Sequence, residues 1–167
     1  MNAVSLRPFL PADTNQCAEI FRAAIQVSAN EDYSDDQLDA WAARANDAEA
    51  FGAKLGSALT LVALIDGGPV GFASLRNKNE LDMVYVDPRF GRRGVGSTLI
   101  DALTRLAVAR GAELVTSEAS DTARPLFERH GFVAQLRNLV QIDDQWLANT
   151  TMTKRLASPR GEEPTRH

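Results

Sequence analysis

Two rhythms of apolar and polar residues run along this chain. The opening "AVSLRPF" reads as a strand, and "PAD" turns it into a helix: Pro11 suits the start, Asp13 or Thr14 the cap, and Ile20, Phe21, Ala24 and Ile25 the apolar face. "NEDYSDDQLDAWAARA" predicts a polar loop and a second helix, with Ser34 or Asp35 as cap and Leu38, Trp41 and Ala42 turned inward. "DAEAFGAKL" adds a short helical piece. The rhythm then shortens. "ALTLVALI", the turn "DGGP" and "VGFASL" form a hairpin, and "RNKNE" leads into "LDMVYV", so three strands in succession predict an antiparallel meander.

A helix over Ser97–Arg110 follows, with Leu99, Ile100, Leu103, Leu106 and Ala107 on one face and Gly111 at its end. "AELVTSEA" is the next strand, which makes this unit a crossover with parallel pairing. "DTARPLFERHGF" reads as a short helix capped by Asp121 or Thr122 and closed by Gly131. "FVAQLRNLVQI" and "WLANTTMTKRL", joined at "DDQ", complete the strands. The fold class is therefore α+β: a mixed, mostly antiparallel central sheet with helices on both faces. Residues 1–156 are expected to form one domain, and the tail "ASPRGEEPTRH", without apolar periodicity, to be disordered.

Composition narrows the function classes. A net charge of −4 over 167 residues argues against a nucleic-acid partner. No apolar run approaches the ~20 residues that span a bilayer, and the start lacks a signal-peptide layout, so a soluble cytoplasmic protein is expected. Cys17 shares helical spacing with Ile20, Phe21 and Ala24 and belongs to the core. Two histidines, one in the tail, give no metal site.

The chemically distinctive segment is "LDMVYVDPRFGRRGVGSTLIDAL". Gly94 and Gly96 let a ligand approach the backbone, at a helix N-terminus whose free N–H groups and dipole favour an anion. Arg92 and Arg93 add positive charge, which suits a phosphate and most naturally a diphosphate. A P-loop would need a lysine that "GVGST" lacks. A dinucleotide fingerprint would need a small residue where Leu99 stands.

The strand ending "YVDP", then "GRRGVGSTLIDAL", a further strand and "ARPLFERHGF" together resemble the GNAT acyltransferase superfamily, whose signature is Q/R-x-x-G-x-G/A after the fourth strand. The likeness covers roughly residues 3–156, and "DYSDDQLDAWA" resembles its bacterial YafP-like branch. Two departures stand out. Gly91 occupies the position of the first Q/R, and Phe127 that of a tyrosine that often protonates the departing thiolate.

The resemblance implies a GNAT-type sheet and acetyl-CoA as co-substrate, without a metal. Its diphosphate would sit on the amides from Arg92 through Arg93, Gly94, Val95 and Gly96 to Ser97. Its pantetheine would lie along Val84 and Val86 where the fourth and fifth strands splay, beside Phe127, with the N–H of Tyr85 or Val86 as oxyanion donor. The acceptor is a small-molecule or peptide amine, which needs a general base. Asp82, placed by strand alternation on one face with Val84 and Val86, is the first candidate and Glu118 the second. Ser120 can order a water that protonates the thiolate. Tyr33 and Trp41 belong to the acceptor pocket, with Asp82, and Tyr33 is also a candidate acid.

The acidic loop "NEDYSDD" would favour a cationic acceptor. The leading function is N-acetyl transfer to a primary amine by direct attack in a ternary complex. The alternative, suggested by Phe127 and Gly91, is a catalytically weak acyl-CoA-binding sensor or interaction module. Strand edges near the C-terminus offer a route to a homodimer.

Overall fold

The computed structural model describes residues 3–156; the tail expected to be disordered lies outside them. Strand β1 (Ser5–Pro8) leads through a tight turn into helix α1 (Thr14–Ala23), which continues as a wider π turn to Ser28. Asp13 does not cap α1. Its carboxylate turns back to accept the Leu10 amide at 2.8 Å and both ends of the Arg7 guanidinium at 2.7 and 2.8 Å. Ser34 does cap α2 (Asp35–Ala42), in a reciprocal box: Gln37 N–H donates to Ser34 Oγ, and Ser34 N–H to Gln37 Oε1. Helix α3 (Ala48–Ser57) is capped by Asp47.

The meander follows as β2 (Leu59–Ile65), β3 (Gly68–Arg76) and β4 (Glu80–Val86). Asp66 and Gly67, the two residues between β2 and β3, both have positive φ, the backbone that a two-residue hairpin demands; the three-residue turn 77–79 between β3 and β4 has positive φ at Asn77 and Lys78. Helix α4 (Val95–Ala109), β5 (Leu114–Ser120) and α5 (Arg124–Arg129) form the second half, ending in the hairpin of β6 (Val133–Ile142) and β7 (Gln145–Arg155).

Both α4 and α5 close on a left-handed glycine. Ala112 N–H reaches the Ala107 carbonyl over Gly111, and Phe132 N–H reaches that of Phe127 over Gly131. Phe127 and Phe132 also meet edge to face, 5.1 Å between ring centres, the apolar contact that accompanies this motif. Neither Asp121 nor Thr122 caps α5: Asp121 is paired with Arg137, Thr122 donates to Asp32, and Ser120 Oγ takes the Ala123 amide.

The sheet runs β1-β2-β3-β4-β5-β7-β6. Among the described strands only β4 and β5 run parallel; every other neighbouring pair is antiparallel. The last strand is thus inserted between β5 and β6. One core packs Leu99, Ile100 and Leu103 of α4 and Phe127 against one face of the sheet. The other packs Cys17, Phe21, Leu38 and Phe51 from α1–α3 against the opposite face. No described helix is long and apolar enough to cross a membrane.

Candidate active site

Strands β4 and β5 pair only where the first two residues of β4 meet the middle of β5. Glu80 pairs with Thr116 and Leu81 with Ser117, whose hydroxyl also donates to the Leu81 carbonyl at 2.9 Å. Beyond that point β4 stays in register with β3 as far as Val86, and β5 with β7 as far as Ser120. Each strand follows its own partner, so the sheet opens between them.

The antiparallel ladder decides which backbone groups face that opening. Asp87 N–H donates to Val70 at 2.8 Å, one step beyond the Gly71–Val86 pair. That pair is therefore of the wide kind, and its neighbours Phe72 and Tyr85 exchange bonds with each other. The N–H and C=O of Val84 and Val86 turn away from β3, toward the gap. Of the two amides expected as oxyanion donors, Tyr85 is committed to β3 and Val86 is the one that faces the opening.

The simple alternation expected for Asp82 does not hold. Met83 pairs with Ser74 but Leu81 with Leu75, so Asp82 is an extra residue, a β-bulge. The bulge puts Leu81 in the α4-side core with Val84 and Val86, while Met83 and Tyr85 pack on the α1–α3 side. Asp82 sits at the crossing point and lines cavities on both sides of Tyr85. Its carboxylate lies 3.7 Å from Lys54 and 4.0 Å from Arg76.

Helix α4 starts at Val95, two residues before the expected position, with Gly94 as its N-cap at φ +78°. The helical ladder begins at Thr98 N–H, which donates to Gly94 at 2.9 Å, so the amides of Val95, Gly96 and Ser97 have no acceptor within the helix. The two glycines serve different ends. A Cβ on Gly94 would meet open space, and its requirement is the left-handed backbone. A Cβ on Gly96 would come within 2.8 Å of Leu126 Cδ2, so this glycine makes room for α5. Arg92 also has positive φ (64°), and Arg93 lies over the Phe90 ring at 5.4 Å.

The gap widens into a cavity of ≈ 270 Å³ walled by Tyr33, Trp41, Val84, Glu118, Ser120 and Phe127, among others. Burial holds the Tyr33 hydroxyl above its ordinary range, and the group is fully engaged: it donates to the Ala148 carbonyl at 2.6 Å and accepts the Asp121 amide at 2.9 Å. That engagement speaks against its use as the acid. Tyr85 is likewise held well up by burial, among the Phe21, Trp41 and Phe72 rings. Ser120 Oγ accepts the Ala123 amide at 3.1 Å, an acceptor's role that leaves its proton to be donated elsewhere. Glu118 Oε2 is held by Thr151 at 2.8 Å and Asn138 at 3.0 Å. Phe127 is buried.

Arg44 was missed in the sequence. It lies in a short turn after α2, yet it lines the cavities on both sides of Tyr85. Conversely, Asp32, Asp35 and Asp36 line neither; Asp32 binds Thr122, and the other two begin α2 on its exposed side. Among the described residues, no three His, Cys, Asp or Glu side chains converge at metal-ligand spacing.

Comparison with known proteins follows the same lines. The family model of the acetyltransferase (GNAT) domain matches residues 29–156. The chain is 38% identical over 152 residues to the N-acetyltransferase YafP of Escherichia coli K12, covering 91% of this chain and 96% of that one. It is 51% identical to a GCN5-related N-acetyltransferase of known structure from Rhodopseudomonas palustris, with TM-score 0.91 over 93% of this chain and 98% of that one. The fold is also that of PaiA N-acetyltransferase from Thermoplasma acidophilum, solved with coenzyme A, at 16% identity and TM-score 0.76 over 92% and 99% of the two chains. Since the matched span takes in the glycine turn and both walls of the opening, this chain belongs to the GNAT acetyltransferase family.

Proposed function

We propose that the protein moves an acetyl group from acetyl-CoA to a primary amine by direct attack within a ternary complex. The observation that carries this reading is the parting of β4 from β5 beyond Leu81, with Val84 and Val86 presenting unshared peptide groups to the gap and the start of α4 lying at its end. These features fit the cofactor's two chemically distinct parts. An amide-bearing arm can pair with an open strand edge. A diphosphate can rest on the helix-start amides, with Arg92 and Arg93 beside them. PaiA with coenzyme A, and the YncA structure from Salmonella typhimurium with acetyl-CoA, support the reading by their shared fold.

Acetyl-CoA supplies an acyl carbon on a good leaving group. The protein's part is proton handling and orientation. Asp82, at the junction of the two cavities, takes the proton that the acceptor's ammonium must lose, directly or through water. Glu118 is the second candidate for that task, from the facing strand. The Val86 N–H meets the carbonyl oxygen as it gains negative charge. Ser120 donates toward the departing sulfur, in place of the tyrosine for which Phe127 stands.

The test is calorimetric titration with coenzyme A, followed by a thiol-release assay over a panel of amines. Micromolar affinity with turnover is expected. Affinity without turnover on any amine would make the protein an acyl-CoA-binding module instead, and no affinity would overturn the reading altogether.

A further inference from the structure

The second cavity, on the α1–α3 side of Tyr85, has a volume of ≈ 370 Å³. Phe21, Phe51, Met83 and Tyr85 give it an apolar, largely aromatic wall, and Trp41, Arg44, Asp82 and Tyr85 join it to the first cavity. Its size lies near the lower end of the ~300–1,000 Å³ typical of small-molecule sites, which suits one compact molecule.

Its charges are unusual for a site that must take an amine. Arg44 and Lys54 line it, against the single carboxylate of Asp82. Lys54 lies 3.7 Å from Asp82, whereas no carboxylate among the described residues lies within ion-pair distance of Arg44. A plain alkyl ammonium would meet two like charges here and leave the exposed Arg44 guanidinium to solvent. A molecule bearing a carboxylate next to its amine meets both signs at once. A guanidinium is a planar fork that grips a carboxylate through two parallel hydrogen bonds.

We propose that the acceptor is a free amino acid with an aromatic or large apolar side chain. Its carboxylate is held by Arg44, its amine is turned toward Asp82, and its side chain rests against the wall of Phe21, Phe51 and Met83. This rests on the acetyl-transfer reading above and specifies its substrate. A peptide N-terminus, with an amide in place of the α-carboxylate, offers Arg44 one neutral carbonyl oxygen instead of a two-oxygen anion.

The experiment compares phenylalanine with phenylalaninamide, and tryptophan with tryptophanamide, in the wild type, Arg44→Gln and Arg44→Lys. The readout is kcat/KM from thiol release, with the N-acetyl product identified by mass spectrometry. The ratio of acid to amide within one variant contains the intrinsic reactivity of the two amines. The change in that ratio between variants removes it. Arg44→Gln is expected to lower the ratio about 10- to 100-fold, chiefly through KM for the acid, and Arg44→Lys to recover part of it. An unchanged ratio overturns the proposal, as does transfer to neither member of the pairs by a protein that binds coenzyme A in the calorimeter. Absence of coenzyme A binding overturns the acetyl-transfer reading itself, and this proposal with it.

Discussion

Tyr33 donates its phenolic proton to the carbonyl of Ala148, 2.6 Å away and 115 positions further along the chain. The same oxygen accepts the Asp121 amide, and the ring meets the edge of Trp41 at 5.4 Å. One side chain therefore ties the loop before α2 to β7 and to the turn after β5. Tyr33→Phe leaves a carbonyl and an amide without their partner, at a cost of about 1–3 kcal/mol. In a chain of this size the melting temperature should fall by roughly 2–12 °C. Turnover measured well below the transition should change little. A large loss of kcat with an unchanged melting temperature would assign Tyr33 to proton transfer after all.

Asp82→Asn should lower kcat about 10²–10⁴-fold while coenzyme A affinity, measured by calorimetry, stays near that of the wild type. Glu118→Gln should cost less, since Glu118 is already held by Thr151 and Asn138. The reverse order of losses would move the base to β5.

The glycine turn predicts two distinct failures. Gly94→Ala forces a side chain into left-handed backbone, at about 1–2 kcal/mol of strain, and should weaken coenzyme A binding together with stability. Gly96→Ala must displace the end of Leu126, a flexible group, so its effect should appear first as a looser α5. Hydrogen exchange of the Leu126 and Phe127 amides would detect it.

Phe127→Tyr should leave the fold intact, because its ring keeps the contact with Phe132. Transfer should persist within about tenfold of the wild type if Ser120 and solvent already protonate the thiolate adequately. A rise of several orders of magnitude would mean that the native site has no effective acid.

The carboxyl of Asp13 is held below the ordinary range chiefly by the Arg7 hydrogen bonds, against the opposing effect of burial, with help from the Leu10 amide. A carboxyl lowered in the folded state stabilises above its unfolded value of about 3.9, and that contribution disappears as pH falls through the folded value. Asp13→Asn should therefore melt lower than the wild type at pH 7. The two curves should converge as the solution is acidified below about pH 4. A gap that is constant with pH would show that the amide loses only packing.

Much of this molecule was legible from local chemistry, because the deciding forces are local. The Asp66–Gly67 turn, the Ser34 cap and the glycine ends of α4 and α5 depend on a few neighbouring residues. The Asp82 bulge was not legible. Alternation assumes that one residue opposes one, and the extra residue shows only in register with β3. Arg44 escaped notice for a related reason: nothing in "AWAARAN" marks an arginine for a cavity whose other walls come from α1, α3 and β4. The acidic loop misled in the opposite sense, since its charges are conspicuous in the sequence and turned outward in space. The glycine motif marked the start of α4, yet the demand on Gly96 comes from Leu126, thirty residues on.

Strand β7 lies between β5 and β6, although it is the last of the described strands to be made. During synthesis, β1–β5 can emerge and pair while the far side of the opening has no scaffold. Ala148, which anchors Tyr33, and Thr151, which steadies Glu118, both arrive on that final strand. Pairings so distant along the chain form slowly. The ribosome must therefore finish almost the whole described polypeptide before the chamber has its second wall, and a nascent chain halted before Ala148 would carry the glycine turn without a completed place for the acceptor.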